Sequence, residues 1–249
     1  MNKIVDFYSF SGTGNTQQIV EHAARSLENH GMQVSIKPLE KSFVPDDLCG
    51  EIWFAFPANS QSVSPFIWNF FQSLPKGNGE RVFVLITLND SIHILKPLYR
   101  LLKKKGYIPV SVCEVSMQNN FVNTDIDPVE DQQRLDAALK KVDEFIQSAV
   151  TGDSAWHNEY PGSKFVSFLT RETPLPWMTM RLMIKLQTNQ SLCTQCCLCV
   201  EQCPVGNIKI EDVLPIHGNH CQLCMKCIAY CPHAAIQVLG KDHLRIRHA

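Results

Sequence analysis

Between Cys193 and Pro232 the chain spells one cysteine pattern twice, and no other stretch restricts its fold so tightly. The first copy is Cys193-x2-Cys196-x2-Cys199-x3-Cys203-Pro204, and the second is Cys221-x2-Cys224-x2-Cys227-x3-Cys231-Pro232. Three thiolates at successive two-residue gaps can wrap three corners of one four-iron cubane from a single tight loop. The longer last step turns the fourth cysteine away from its own loop, and in runs of this kind it ligates the other cluster. Cys193, Cys196, Cys199 and Cys231 are therefore expected to hold one [4Fe–4S] cluster, and Cys221, Cys224, Cys227 and Cys203 the other. Cys197, between two ligands of the first loop, cannot easily reach the same cubane and reads as a spare buried thiol.

Other uses of eight cysteines explain the pattern less well. A disulfide framework belongs to oxidising compartments, yet Met1-Asn2-Lys3-Ile4-Val5-Asp6 opens no apolar leader segment, so reduced thiols and a cytoplasmic setting are expected. Tetrahedral zinc needs pairs of C-x2-C but neither a third cysteine nor a Cys-Pro ending. The stretch resembles the two-cluster bacterial ferredoxins, over about the last quarter of the chain.

Eight of the 11 cysteines fall in these two runs, so the 249 residues divide unevenly. The expected parts are residues 1–152, a connector over 153–187 and a cluster-binding part over 188–249. A formal charge of -1 gives no basic excess for nucleic acid, and no apolar run has the length of a membrane span.

The first part alternates strands with helices. Lys3–Phe10, Met32–Ile36, Glu51–Phe56, Arg81–Thr87 and Tyr107–Val115 read as strands. Helical patterns follow the first, third, fourth and fifth, the last over Pro128–Val150. Arg81–Thr87 is apolar almost throughout, as befits a strand covered on both faces. This is the pattern of an α/β fold, a doubly wound five-stranded parallel sheet. The first strand runs through Ser9 into Ser11-Gly12-Thr13-Gly14-Asn15-Thr16 and then a helix, an arrangement that offers amides and hydroxyls to a phosphate. A dinucleotide fingerprint would need glycine where Gln17 stands, and Lys37-Pro38 occupies the place of the expected acid.

The loop resembles the S-x-T-G-N-T phosphate cradle of flavodoxins, with Ser11, Thr13, Asn15 and Thr16 matching in place. That resemblance implies FMN, a flavodoxin-like sheet and three further loops at the edge where the isoalloxazine ring would lie. They would be drawn from Pro57, Ala58, Asn59 and Ser60, from Thr87, Leu88 and Asn89, and from Asn120 and Phe121. The first two loops contain no Trp or Tyr, which leaves Phe121 as the expected stacking residue.

In the connector, Trp177–Gln187 reads as a short Met-rich helix packing between the two parts. Cys49 and Cys113 read as packing thiols, and His220 and His233 as neighbours of the cluster cysteines. No catalytic residue stands out. Taken whole, the chain resembles the fused flavodoxin–ferredoxin proteins of the EFR-type ferrodoxin family. Membership would imply one FMN, two [4Fe–4S] clusters and anaerobic metabolism. Electrons would then pass between a two-electron and a one-electron carrier, with a ferredoxin-like donor or an oxidoreductase acceptor as redox partner. An iron–sulfur scaffold or redox sensor that no longer binds flavin is the alternative.

Overall fold

The computed structural model describes residues 3–39, 50–89, 91–118, 127–157 and 161–240. Five strands, β1 (Lys3–Ser9), β2 (Met32–Pro38), β3 (Glu51–Pro57), β4 (Arg81–Leu88) and β5 (Ile108–Ser116), form one parallel sheet in the order β2-β1-β3-β4-β5. Helices α1 (Asn15–Asn29), α2 (Pro65–Ser73), α3 (Leu95–Lys105) and α4 (Pro128–Thr151) cover its faces. Because side chains alternate along a strand, β1, β3, β4 and β5 each supply both layers. Phe7, Trp53, Phe83 and Leu85 pack with α1 and α4. Tyr8, Phe54, Val84 and Ile86 pack with α2 and α3. This two-sided burial is why β4 shows no polar alternation.

The chain leaves β1 in one direction for β2 and in the other for β3, so the sheet reverses between β1 and β3. That is the flavodoxin-like order, with its ligand crevice outside the carboxyl ends of the strands at the reversal. Three loops meet there. Phe10 N donates to Ala55 O, Ala58 N to Thr87 O and Met117 N to Leu88 O, at 3.0, 2.8 and 2.9 Å.

After the sheet, α5 (Lys164–Glu172) packs on α2, and α6 (Leu175–Met183) packs on α5. Ser163 caps α5 by accepting from Val166 N. Buried Trp177 fixes α6 to it by donating from Nε1 to Thr170 O at 2.8 Å. The connector thus holds two helices. The second stops at Met183, and Gln187 lies in a strand rather than in the helix expected to reach it.

The remaining elements are β6 (Leu186–Thr188), α7 (Leu198–Glu201), β7 (Ile208–Glu211), β8 (Leu214–His217), α8 (Lys226–Ala229) and β9 (Ile236–Val238). They form two copies of strand–loop–helical turn–strand. The constant spacing that separates Cys193 from Cys221 also separates Leu186 from Leu214 and Ile208 from Ile236. The copies interlock: β6 pairs antiparallel with β9, and β7 with β8. This exchange carries the end of each copy toward the loop of the other.

Candidate functional site

Each cysteine loop needs the same unusual backbone. Gln195 and Cys197 have φ of 59° and 61°, and their counterparts Leu223 and Met225 have 51° and 60°. Alternating left-handed residues curl the loop so that its thiols face inward, at a cost of about 1–2 kcal/mol for each residue that is not glycine. One small hollow is lined by Cys193, Cys196, Cys199 and Cys231, with Cys197 also at its wall. A second is lined by Cys203, Cys221, Cys224 and Cys227. The fourth cysteine of each run lies with the first three of the other.

Backbone amides point at the sulfurs from the turns that follow. Asn207 N donates to Cys203 Sγ at 3.2 Å, Leu223 N to Cys221 Sγ at 3.3 Å and Ala235 N to Cys231 Sγ at 3.3 Å. Burial pushes the thiol of Cys224 up to about 12 and that of Cys199 up to about 11, and also raises Cys221 and Cys227. Such thiols become thiolates only against a strong positive centre, which iron supplies when it binds. Among the described residues no three His, Cys, Asp or Glu side chains converge tightly enough for one metal ion. A cubane, with iron and sulfide between its corners, needs its thiolates farther apart.

Cys197 is partly exposed rather than buried, and its thiol donates to Gln195 O at 3.4 Å. Cys113 packs in the sheet core, where burial pushes it up to about 12. Cys49 lies outside the described residues. His220 Nε2 lies 3.1 Å from Val205 O, and His233 lines the first hollow.

The second feature is a half-open cleft of about 150 Å³ at the carboxyl ends of the strands. Gly14, in the left-handed conformation at φ 98°, turns the loop after β1 into α1, and its amide donates to Ser11 Oγ at 3.1 Å. No side chain caps α1, so its first amides remain to be satisfied. Ser11, Gly12, Thr13, Asn15 and Thr16 line the cleft, and Asn15 Nδ2 donates to Gln118 O at 2.8 Å. Thr16 and Thr87 are both buried, with their hydroxyl oxygens 2.7 Å apart.

Pro57, Ala58, Asn59, Thr87, Leu88 and Asn89 complete the neighbouring walls. Gln118 belongs to the lining too, is 7% exposed, and leaves its Oε1 without a hydrogen-bond partner. No charged side chain lines the cleft among the described residues, so any anion held there rests on amides and hydroxyls.

Not every residue expected here reaches it. Ser9 remains in β1, on the face it shares with Val5 and Phe7. Ser60, at φ 47°, turns outward: its hydroxyl donates to Met180 Sδ at 3.7 Å and its carbonyl accepts from Thr170 Oγ1 at 3.1 Å. Asn120 and Phe121 lie outside the described residues.

Phe10, Met117 and Gln118 also line the cleft, and so do three residues from the far end of the chain. Leu223, Cys224 and Met225, from the second cysteine loop, form its remaining wall. Around them Phe66 N donates to Gln222 Oε1 at 3.0 Å, Arg181 Nη1 to Cys221 O at 2.8 Å and Tyr230 Oη to Gln17 Oε1 at 3.0 Å. Lys226 Nζ sits 5.5 Å from the Phe10 ring centroid. The signal available in the sequence was a difference between the copies. Leu223 and Met225 stand where the first loop has Gln195 and Cys197.

Comparison with known proteins gives partial matches. Residues 186–209, which contain the first cysteine run, match the family described as the 4Fe-4S binding domain. No curated protein matches the chain. Among solved structures it is similar to a flavodoxin of Streptococcus pneumonia TIGR4, at 15% identity and a TM-score of 0.45 over 59% of this chain and 98% of that one. Fusobacterium nucleatum flavodoxin bound to flavin mononucleotide gives 17% and 0.42, over 61% and 98%. Oxidised flavodoxin from Bacillus cereus gives 14% and 0.44, over 60% and 98%. The flavodoxin-like assignment rests on the strand order itself.

Proposed function

We propose that this chain is an electron-transfer protein that holds FMN in the cleft and a [4Fe–4S] cluster in each cysteine hollow. The observation that carries this reading is the shared wall. Cys224 belongs both to the second hollow and to the lining of the cleft. A short path between carriers is what transfer of single electrons requires.

The residues present fit a flavin phosphate. Ser11 and Thr13 line the turn, the first amides of α1 are uncapped, and the positive end of that helix favours an anion. Gln118 Oε1, buried and unpartnered, provides an acceptor for an N–H or hydroxyl of the occupant. When bound, FMN supplies exchange between paired and single electrons, and the clusters supply single-electron storage. The protein positions and tunes. Amides from Asn207, Leu223 and Ala235 stabilise the reduced state at the sulfurs of Cys203, Cys221 and Cys231. The second hollow shares Cys224 and Met225 with the lining of the cleft, and the first shares no residue with it.

This arrangement supports the EFR-type ferrodoxin likeness, a converter of two-electron and one-electron steps, and a protein redox partner. The test is anaerobic purification with quantitation of flavin, iron and sulfide. The expected result is one FMN per two four-iron clusters. Iron and sulfide at full yield, with no flavin taken up on reconstitution, would instead favour a cluster scaffold or sensor.

A further inference from the structure

The two cysteine loops share one backbone path but meet different surroundings. In the first, Gln195 is exposed and Cys197 half-exposed. In the second, Leu223 is half-buried and Met225 is 6% exposed. Apolar residues therefore replace polar ones only where the loop faces the cleft. The approach is close enough to demand glycine opposite. A β-carbon on Gly12 would stand 3.1 Å from the carbonyl carbon of Cys224 and overlap its oxygen. The described loops of the cleft offer no Trp or Tyr, so an apolar cover for a flat ligand must come from elsewhere.

We infer that the second cysteine loop is a structural wall of the flavin site, with Leu223 and Met225 as its apolar cover, so that assembly of the second cluster and retention of FMN reinforce each other. This rests on the reading of the cleft as a flavin site. Leu223 and Met225 are held in left-handed conformations that neither favours. Bonds from iron to Cys221, Cys224 and Cys227 would lock that curl; without them the loop relaxes and the wall loosens. Coupling of this kind is reciprocal, so bound FMN also slows loss of the second cluster.

The measurement is FMN affinity of the full-length holoprotein, by quenching of flavin fluorescence under anaerobic conditions. Met225→Ser removes the cover but no ligand. It should keep both clusters by iron count and raise Kd by about tenfold or more. Its counterpart in the first copy, Cys197→Ser, should leave Kd unchanged. Cys203→Ser, which alters no residue of the cleft, should also raise Kd by about tenfold through loss of the second cluster. Wild-type Kd in both Met225→Ser and Cys203→Ser overturns the inference while the flavin reading stands. A wild-type chain that takes up no FMN overturns the flavin reading itself and this inference with it.

Discussion

Replacing Gly12 with alanine probes the join between the sheet and the cluster region through one methyl group. The backbone of Gly12 is not in the left-handed region, so alanine strains nothing locally. The methyl carbon would nevertheless lie 3.1 Å from the Cys224 carbonyl carbon and overlap the attached oxygen. Relaxed carbon contacts lie near 3.5–4.0 Å, so the Cys224 loop must withdraw by about 1 Å. The β-carbon is fixed directly to the backbone and its partner is a backbone carbonyl, so neither can swing aside. Overpacking of this kind costs about 1–3 kcal/mol. Because only the join is affected, that cost should appear as easier opening of the second cluster, by about 5- to 150-fold.

The assay is iron release to a chelator from flavin-free holoprotein, followed anaerobically. Two phases are expected in the wild type, and Gly12→Ala should accelerate one of them. FMN plays no part in this experiment, so a direct effect of the methyl group on phosphate binding cannot imitate the result. If Gly12→Ala leaves both phases unchanged, the cluster loop does not rest on Gly12.

Other outcomes follow from individual contacts. Thr16→Val should weaken FMN binding about tenfold and, by leaving the buried Thr87 hydroxyl unpaired, cost a further ~1–3 kcal/mol of stability in urea unfolding. Thr16→Val with Thr87→Val should recover stability but not affinity, and recovery of both would separate the hydroxyl pair from the ligand. Cys203→Ser should abolish the spectroscopic signature of the cluster held by Cys221, Cys224 and Cys227, and loss of the other signature instead would refute crossed ligation. Cys113 should resist thiol reagents in the native protein. Its folded value of about 12 exceeds its ordinary 9.0, so between those values the unfolded chain gives up a proton that the folded chain keeps. Its contribution to stability is therefore complete below pH 9 and declines as pH rises toward 12; an alkaline decline undiminished in Cys113→Val would refute this.

Periodicity made the sheet legible, because a parallel strand covered on both faces is apolar along its middle, as residues 82–86 of β4 are. The cysteine spacing made the grouping of thiols legible for a similar reason, since two short steps and one longer one leave little geometric choice. The left-handed turn at Gly14 and the uncapped start of α1 also follow from local sequence. The helix at Lys164–Glu172 was harder to see. Its Phe165 is 70% exposed and its buried positions are Ser167 and Thr170, so its apolar pattern does not mark its inner face. The Ser167 hydroxyl instead donates to His93 O at 2.8 Å, a bond that only the assembled chain supplies.

The fourth wall of the cleft was illegible for a different reason: Gly12 and Cys224 come from opposite ends of the chain. Each residue already had a sufficient local explanation, Gly12 as part of a phosphate cradle and Cys224 as a cluster ligand. Their contact adds a second demand to both. A residue under one demand can be exchanged for another that meets it, but on the proposed reading Gly12 would both free its backbone for an anion and leave room for a carbonyl. Cys224 would both bind iron and place that carbonyl against the cradle. A change at either residue would then shift the other proposed site. The close approach of Gly12 to Cys224, rather than either motif alone, is therefore what the proposed link between the two cofactor sites depends on.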